Sequence, residues 1–566
     1  MKRLIALFLA ALMLLSLAAC GGGKPTEEET AAETGEAGEY HGELPFVKEG
    51  DEPVTVTVGV HRLANVTDYK NNAFTKWLEE QTGLNIEFML FNGTTAEAAT
   101  QVALMIASGE KLPDILHPGG ISKVQADEYG MDGYFLDLSP YFENSYYFQR
   151  QSFREMFPDD PDVEAKVMSY AVEPSTGKQY IFPFVEDCPL DQPICHAWIN
   201  TKWLEKLGLE VPKTLPELHD VLVAFRDQDP NGNGKKDEIP MIGRADSAYI
   251  DILRPLINAY VRWIPMYHFN ADDDGKIWIP YNTDEYRQAL ILINDWVQEG
   301  LISTLTWTQT AEELKGLFNP SDGEYLCGVI TGNANQTFVP DSPSVYDYDP
   351  LPPFAAATEI GGWAPYMGYN IRINTFIAAD SEHPLEAFKL LDFMSSPEAS
   401  LWGRWGEKGV NWDWSEGGKP GNMGNEARIK LIGEPVYSTQ NAQNWHNEWT
   451  VFSDRYSEYE ISDDPNDWNA VRAKKMLENY LNYTAIPQPK NVVTDLNYTR
   501  EENERRTEIA GELTDFIKDR RAQFCTGVLD PRDDAAWAEY LKGLESLHVD
   551  EWIAMAQASY DRDRNK

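Results

Sequence analysis

The chain has 566 residues, of which 42% are hydrophobic and 12% aromatic, with 17 Trp; such a composition excludes disorder over most of the length and allows more than one hydrophobic core. Its 91 acidic against 48 basic residues give a net charge of −43. That balance excludes nucleic acid as a partner and electrostatic binding to anionic lipid, and it disfavours a strongly anionic ligand except at a local basic pocket.

Residues 1 to 20 have a fate of their own. Lys2 and Arg3 precede an apolar run from Leu4 to Leu15, too short to span a bilayer comfortably, and Leu17-Ala18-Ala19-Cys20 follows as a small-residue cleavage site ending in cysteine. That ending resembles the lipobox of bacterial lipoproteins, which implies cleavage before Cys20, its lipidation, and a lipid-anchored chain facing the extracytoplasmic side of the cell membrane. From Gly21 to about Pro53 the chain is rich in Gly, Glu, Thr and Ala and has almost no large apolar side chain before Leu44. It is expected to be a solvated, acidic tether over residues 21–53.

The body opens with strand and helix signals in alternation. Val54 to Val60 is a β-branched run suited to a buried strand, and Phe74, Trp77 and Leu78 share a helical face that Gly83 ends. Asn85 to Phe91 reads as a second strand. Ala99, Val102, Ala103 and Ile106 mark the inner face of a second helix, and Pro113 to Leu116 a third strand. This βαβ rhythm predicts a parallel sheet covered on both faces. Gly177 to Phe184 reads as a further strand, and the kink at Cys188-Pro189-Leu190 as the passage into a second lobe. Cys188 and Cys195 are either a small disulfide or free thiols.

Thr214, with Glu217 three residues later, predicts a capping box for a helix over about 216–226. That helix delivers the chain to Asp229-Pro-Asn-Gly-Asn-Gly-Lys-Lys-Asp-Glu-Ile-Pro240. Side-chain oxygens of Asp229, Asn231 and Asn233 alternate with turn-forming residues, and Gly232 and Gly234 permit the positive φ that tight wrapping needs. The carbonyl of Lys235 and the carboxylates of Asp237 and Glu238 complete an oxygen set suited to a structural calcium ion. The standard loop wants a bidentate Glu at position twelve, which here is Pro240, so Glu238 takes that role two residues early. A register from Asp227 places Lys235 at a ligand position that its side chain cannot fill, and the alternative to both is an ordinary polar turn.

The sequences Gly177–Pro183, Trp198-Ile-Asn-Thr-Lys-Trp-Leu-Glu-Lys-Leu-Gly-Leu209, Pro212-Lys213-Thr214 and Asp229–Pro240 occur here in order, as do Pro397-Glu398-Ala399 and Phe524-Cys525-Thr526-Gly527. In this the chain resembles the lipoprotein-type extracellular solute-binding proteins of ABC importers, and within them the alginate- and oligosaccharide-binding branch that carries a calcium loop. The resemblance implies a hinged, two-lobed α/β fold of the periplasmic-binding-protein type with discontinuous lobes: 54–187 with about 355–410, and 188–354 with about 411–566. It implies calcium ligands at Asp229, Asn231, Asn233, Lys235, Asp237 and Glu238, delivery of an oligosaccharide to a membrane permease, a monomer, and no catalysis.

Sugars present apolar faces rimmed by hydroxyls, so their sites want aromatic platforms with polar neighbours. Trp307, Trp363 and Tyr366 are the leading ligand-binding candidates, followed by Trp402 and Trp405 in their Gly-rich surroundings and by His117 at the carboxyl end of a predicted strand. Ordinary packing is the alternative for each, and Trp77 and Trp296 are assigned to the core. A glycoside hydrolase or lyase, or a module that senses or binds peptides or other solutes, would be the competing functions. No Gly-x-Ser-x-Gly, phosphate loop or His-Glu-x-x-His favours an enzyme.

Overall fold

Hydrophobic patterning fixes the first core. In the computed structural model, strand β1 (Thr55–His61), helix α1 (Ala73–Thr82), β2 (Asn85–Phe91), α2 (Thr95–Ser108), β3 (Ile115–His117) and α3 (Lys123–Met131) follow one another as the sequence predicts. The structure describes residues 40–191, 196–245, 251–264, 268–320, 323–332, 337–339, 342–365, 368–433, 440–446, 449–493 and 496–564. Cys20, Cys195, Tyr366 and the tether as far as residue 39 lie outside the described residues. Strands β2 and β3 both pair with β1 in parallel. Val56, Val58 and Val60 are buried on this central strand. Asn72, Thr94 and Ser122 cap the three helices by accepting backbone N–H bonds. On α2 the buried stripe is Ala98, Val102 and Met105. Ala99 and Ile106, expected at its centre, flank it because the helix is rotated by about one residue on the sheet.

Helix α4 (Phe148–Met156) has no capping side chain of its own. Asp392, far along the chain, accepts from the backbone N–H groups of Tyr147, Phe148 and Gln149, each at 2.9 Å, so a carboxylate sits where the helix's unpaired donors need one. The strand expected over 177–184 is shifted: β4 spans Phe184–Asp187. The backbone before it is held by another route, Phe182 N–H donating to the Thr375 carbonyl at 2.9 Å.

The second core is built from β5 (Ala197–Asn200), α5 (Leu215–Asp227), β6 (Ile239–Ile242), α6 (Asp284–Gln298), β7 (Cys327–Thr331) and β8 (Tyr348–Pro350). The predicted Thr214–Glu217 capping box is present, and α6 buries Tyr286, Ala289, Leu290, Ile293, Trp296 and Val297. This sheet runs β8-β5-β7-β6 and is mixed: β6 pairs with β7 in parallel, whereas β5 is antiparallel to both β7 and β8. Strand β9 (Asn370–Arg372), β10 (Phe376–Ile377), helix α7 (Pro397–Trp405), β11 (Val451–Ser453), α8 (Trp468–Thr484), α9 (Arg500–Thr526) and α10 (Val549–Arg564) complete the elements used below.

Topology shows how the cores connect. β10 joins the first sheet as an antiparallel partner of β3, while β9, β4 and β11 form a separate three-stranded sheet. Each of those three strands lies on a segment running between the two larger sheets: β4 between β3 and β5, β9 between β8 and β10, β11 between α7 and α8. The chain therefore passes between cores three times, and the passing strands are bonded together. Sequence patterning ends the first lobe near 410. Trp445 donates its indole N–H to Thr75 Oγ1 at 2.8 Å and the Ala73 N–H reaches the Ala442 carbonyl at 2.9 Å, which holds 441–446 on the first core as well. His41–Lys566 form one compact unit. Among the described residues no helix is long and apolar enough to cross a membrane.

Candidate functional site

The loop after α5 wraps as its residues dictate. Asp229 (φ 46°), Gly232 (φ 78°) and Gly234 (φ 74°) all take the left-handed region. Asp229 Oδ1 accepts from Gly232 N–H at 3.0 Å, Asn231 Oδ1 from Asn233 N–H at 2.9 Å, and Asn233 Oδ1 from Lys235 N–H at 2.8 Å. The Asn231 and Asn233 amide NH2 groups both donate to Asp237 Oδ1 at 3.1 Å, and these bonds hold that carboxyl below its ordinary pKa. Glu238 Oε1 is buried without a partner. Its pKa is raised, first by burial and then by the charges of Asp229 and Asp237. The five predicted side-chain donors thus lie on one loop with an unsatisfied carboxylate oxygen among them. Among the described residues no three His, Cys, Asp or Glu side chains converge to hold a metal by themselves. Any cation here needs the Asn and backbone oxygens too.

A second group of residues lies at the carboxyl end of β6, where α/β sheets present their ligand contacts. The short 3-10 turn Thr304–Trp307 runs beside this edge, Ser303 N–H bonding to Met241 O and Ala245 N–H to Thr306 O. Gln309 Nε2 donates to the Gly243 carbonyl at 2.6 Å. Three polar atoms here, Thr306 Oγ1, Trp307 Nε1 and Gln309 Oε1, are buried and have no hydrogen-bond partner among the described residues. An orphaned hydroxyl, indole N–H and amide oxygen, beside a half-buried Trp ring, can together accept and donate to a polyol. Leaving them unmade costs roughly 1–3 kcal/mol each.

The other predicted contacts are placed differently. Trp363 is 7% exposed, on the segment leading to β9, and donates its indole N–H to Gln488 Oε1 at 3.1 Å. His117, at the end of β3, is buried with Nδ1 2.7 Å from Thr375 Oγ1 and its ring 4.2 Å from that of Trp449. Trp402 packs against Trp77 and Phe74 at 5.1 and 5.7 Å between ring centroids and donates to the Gln443 carbonyl. Trp405 is buried against Phe452 and Tyr459 and donates to Ser457 Oγ. Trp402 thus packs on the first core and Trp405 against β11 and the segment after it; Gly403 between them permits close approach, since an added Cβ there would meet Thr450 and His446. Only Trp307, of the aromatic candidates described, combines partial exposure with an unused polar atom.

The sheet formed by the passing strands is stitched by charge. Arg372 Nη2 lies 2.8 Å from Glu186 Oε2 and Arg455 Nε 3.2 Å from Asp187 Oδ2. Asp454, after β11, is buried 3.6 Å from Arg404. Burial, reinforced by Asp191 and Asp187 and opposed by Arg404, pushes its carboxyl up to about 7.

Two α/β cores bonded through a sheet of three passing strands, with a polar, aromatic-bearing edge at the carboxyl end of one sheet, define a ligand-enclosing binding protein. A family model described as bacterial extracellular solute-binding protein matches residues 64–400. The chain belongs to that family, and its role is to bind a solute outside the cytoplasm, not to catalyse a reaction. It is 24% identical over 496 residues, 86% of each chain, to the fructooligosaccharide ABC transporter substrate-binding protein FusA of Streptococcus pneumoniae. The structure of FusA in complex with kestose superposes with a TM-score of 0.67 at 23% identity, covering 90% of this chain and 100% of that one. An HMO-binding solute-binding protein from Bifidobacterium longum infantis gives 0.71 at 22% identity, covering 90% and 99%. Alginate-binding protein AlgQ2, in a structure without calcium ion, gives 0.59 at 20%, covering 92% and 100%.

Proposed function

We propose that this chain captures an oligosaccharide between its two cores and delivers it to the permease of an ABC importer. The observation that carries the reading is the set of unpartnered polar atoms of Thr306, Trp307 and Gln309 around a half-buried indole. An aromatic face stacks on the apolar side of a sugar ring while hydroxyls satisfy the flanking groups. The likeness to a fructooligosaccharide-binding protein over 86% of each chain supports a saccharide cargo. Trp363, positioned by Gln488 on a passing segment, forms the second wall in this reading, and the β9-β4-β11 sheet is the hinge about which the lobes close. The third passage falls at Val451–Ser453, so that 54–187 and about 355–450 make the first lobe.

The loop from Asp229 to Glu238 is proposed to hold a structural calcium ion. Asp229, Asn231, Asn233, Asp237 and Glu238 would supply side-chain oxygens and Lys235 its carbonyl; the buried, unsatisfied Glu238 Oε1 supports this fit. Cys20 is proposed as the lipid-bearing residue, with the tether, expected over 21–53, ending near residue 40, because the Phe46 and Val47 N–H groups donate to the Thr82 carbonyl and the Phe46 ring packs on Phe393, which holds that stretch on the first core. Cys20→Ser should release the protein from cells into the medium, and retention of that variant on the membrane would overturn the anchor.

The cargo is tested by thermal-shift and calorimetric titration of the chain from Gly21 onward against neutral and acidic oligosaccharides, with recovery of each glycan. A raised melting temperature with the glycan recovered intact is expected. Silence across the saccharide panel, with binding of a peptide panel instead, would overturn it.

A further inference from the structure

We infer that the cavity between α3 and α9 is an oxyanion subsite, and that the solute is a saccharide carrying an acidic group. The inference rests on the oligosaccharide reading above and specifies its cargo.

The cavity has a volume of about 580 Å3 and is walled on one side by Ser122 and Lys123 of the first core, and on the other by His268, Tyr498, Arg506 and Trp552 of the second. Within this wall Arg506 is the cation that stands apart. In a chain with 91 acidic residues, it makes no ion pair among the described residues. Its Nη2 donates to the neutral amide oxygen of Asn503 at 2.9 Å, its guanidinium carbon lies 4.9 Å from the centroid of the Tyr498 ring, and its Nε is buried with no acceptor. The nearest acid on its own helix, Glu502, is held by Arg562 at 2.7 Å and by the Thr499 N–H. The other cation in the wall, Lys123, is already neutralised by Asp127 at 2.6 Å. His268 is bonded through Nδ1 to the Tyr281 hydroxyl at 2.8 Å, and burial beside Arg506 and Arg521 keeps it neutral near pH 7. One unneutralised guanidinium therefore faces the cavity.

A planar guanidinium with free N–H groups recognises an oxyanion by a paired, charge-assisted contact. Tyr498 and Trp552 supply flat apolar faces next to it, as a sugar ring requires. The cavity also lies along the same long helix as the Trp307 edge. Arg521 of α9 donates to the Ala245 carbonyl, and Ala245 N–H bonds to Thr306. Arg506 stands fifteen residues earlier on α9, or about 22 Å along its axis, which is the span that a saccharide touching both places has to cover. The acidic body of the protein repels anions in general; a lone unpaired Arg selects one at this end of the chain of sugars.

The test compares three ligand forms of equal length on the mature chain: a neutral oligosaccharide, its uronate or O-sulfated counterpart, and the methyl ester of the uronate. Wild type should prefer the uronate or the sulfated form at least tenfold over both uncharged forms, with the preference shrinking as salt rises. The two acidic forms distinguish a carboxylate from a sulfate. Arg506→Gln should abolish that preference, read as the ratio of acidic to neutral affinity within the variant, and Arg506→Lys should restore part of it. If wild type binds acid, ester and neutral forms alike, the subsite inference is wrong and the oligosaccharide reading stands. If it binds none of them, the oligosaccharide reading itself falls. The wild-type comparison needs no substitution, so a poorly folding Arg506 variant does not block the answer.

Discussion

Gln309 Nε2 donates to the carbonyl of Gly243 at 2.6 Å, and this bond fixes the amide so that Oε1 is left buried with no donor among the described residues. Because Gly243 directly follows β6, the strand end sets the position of the side chain. The neighbouring Trp307 Nε1 is unpartnered in the same way.

Trp307→Phe keeps an aromatic face but deletes the indole N–H. Oligosaccharide affinity should weaken about tenfold, matching about 1–1.5 kcal/mol for one lost hydrogen bond. The unliganded melting temperature should hold or rise, since among the described residues that buried N–H has no acceptor and its removal relieves an unmade bond. Calorimetric titration with unchanged affinity would remove Trp307 from the site.

The calcium proposal makes a prediction whose sign reverses with conditions. Without the ion, Glu238 is a half-buried carboxylate beside Asp229 and Asp237 whose inner oxygen has no partner among the described residues, so Glu238→Gln should melt at or above wild type in chelator. With millimolar calcium, a lost charged ligand should place the variant several degrees below wild type. A melting difference that is the same in chelator and in calcium would leave the loop as a polar turn.

What the sequence made legible follows from which signals are local. Capping at Thr214–Glu217 and the stripe of α6 are encoded within a few residues, as are the left-handed Gly232 and Gly234, and each appears where expected. The rotation of α2 was not, because Ala98 and Ala99 are equally apolar and only contact with the sheet chooses between them. Trp402 and Trp307 look alike in sequence, each in a loop-like, polar or Gly-rich setting. They differ in a long-range fact: Trp402 finds the Gln443 carbonyl, and Trp307 finds no partner among the described residues. Arg506 carried no signal at all, since its distinction is that among the described residues no acid pairs with it, although Glu502, Glu504 and Glu508 stand within a few positions of it on α9.

Trp402→Ala tests the packing role. Its ring lies against Phe74 and Trp77, and its N–H is satisfied by backbone. Truncation should destabilise the protein by about 3–5 kcal/mol while saturating ligand affinity, measured well below the new melting point, is unchanged. Loss of affinity with normal stability would instead make Trp402 a ligand contact.

The buried charge at the hinge sheet gives stability a pH dependence that can be isolated. Burial raises the Asp454 carboxyl to about 7 in the folded chain, against about 3.9 when unfolded. Between those values the folded state binds the proton and the unfolded state does not, so this group favours folding at low pH and loses that contribution as pH rises toward 7. The slope approaches about 1.4 kcal/mol per pH unit within the window and vanishes above it. His268 and His446 act with the opposite sign, because burial lowers them to about 4 and about 3; they remove stability as pH falls below about 6.5. The net curve of wild type therefore mixes both, and the useful quantity is its difference from Asp454→Asn, which retains the histidines. Denaturant unfolding at pH 5, 6, 7 and 8 should show wild type losing ground to the variant steadily from pH 5 to 7 and little further by pH 8. A difference that is flat with pH would mean that Arg404, 3.6 Å away, keeps Asp454 ionised throughout, and the hinge would then be held by an ion pair instead of a proton.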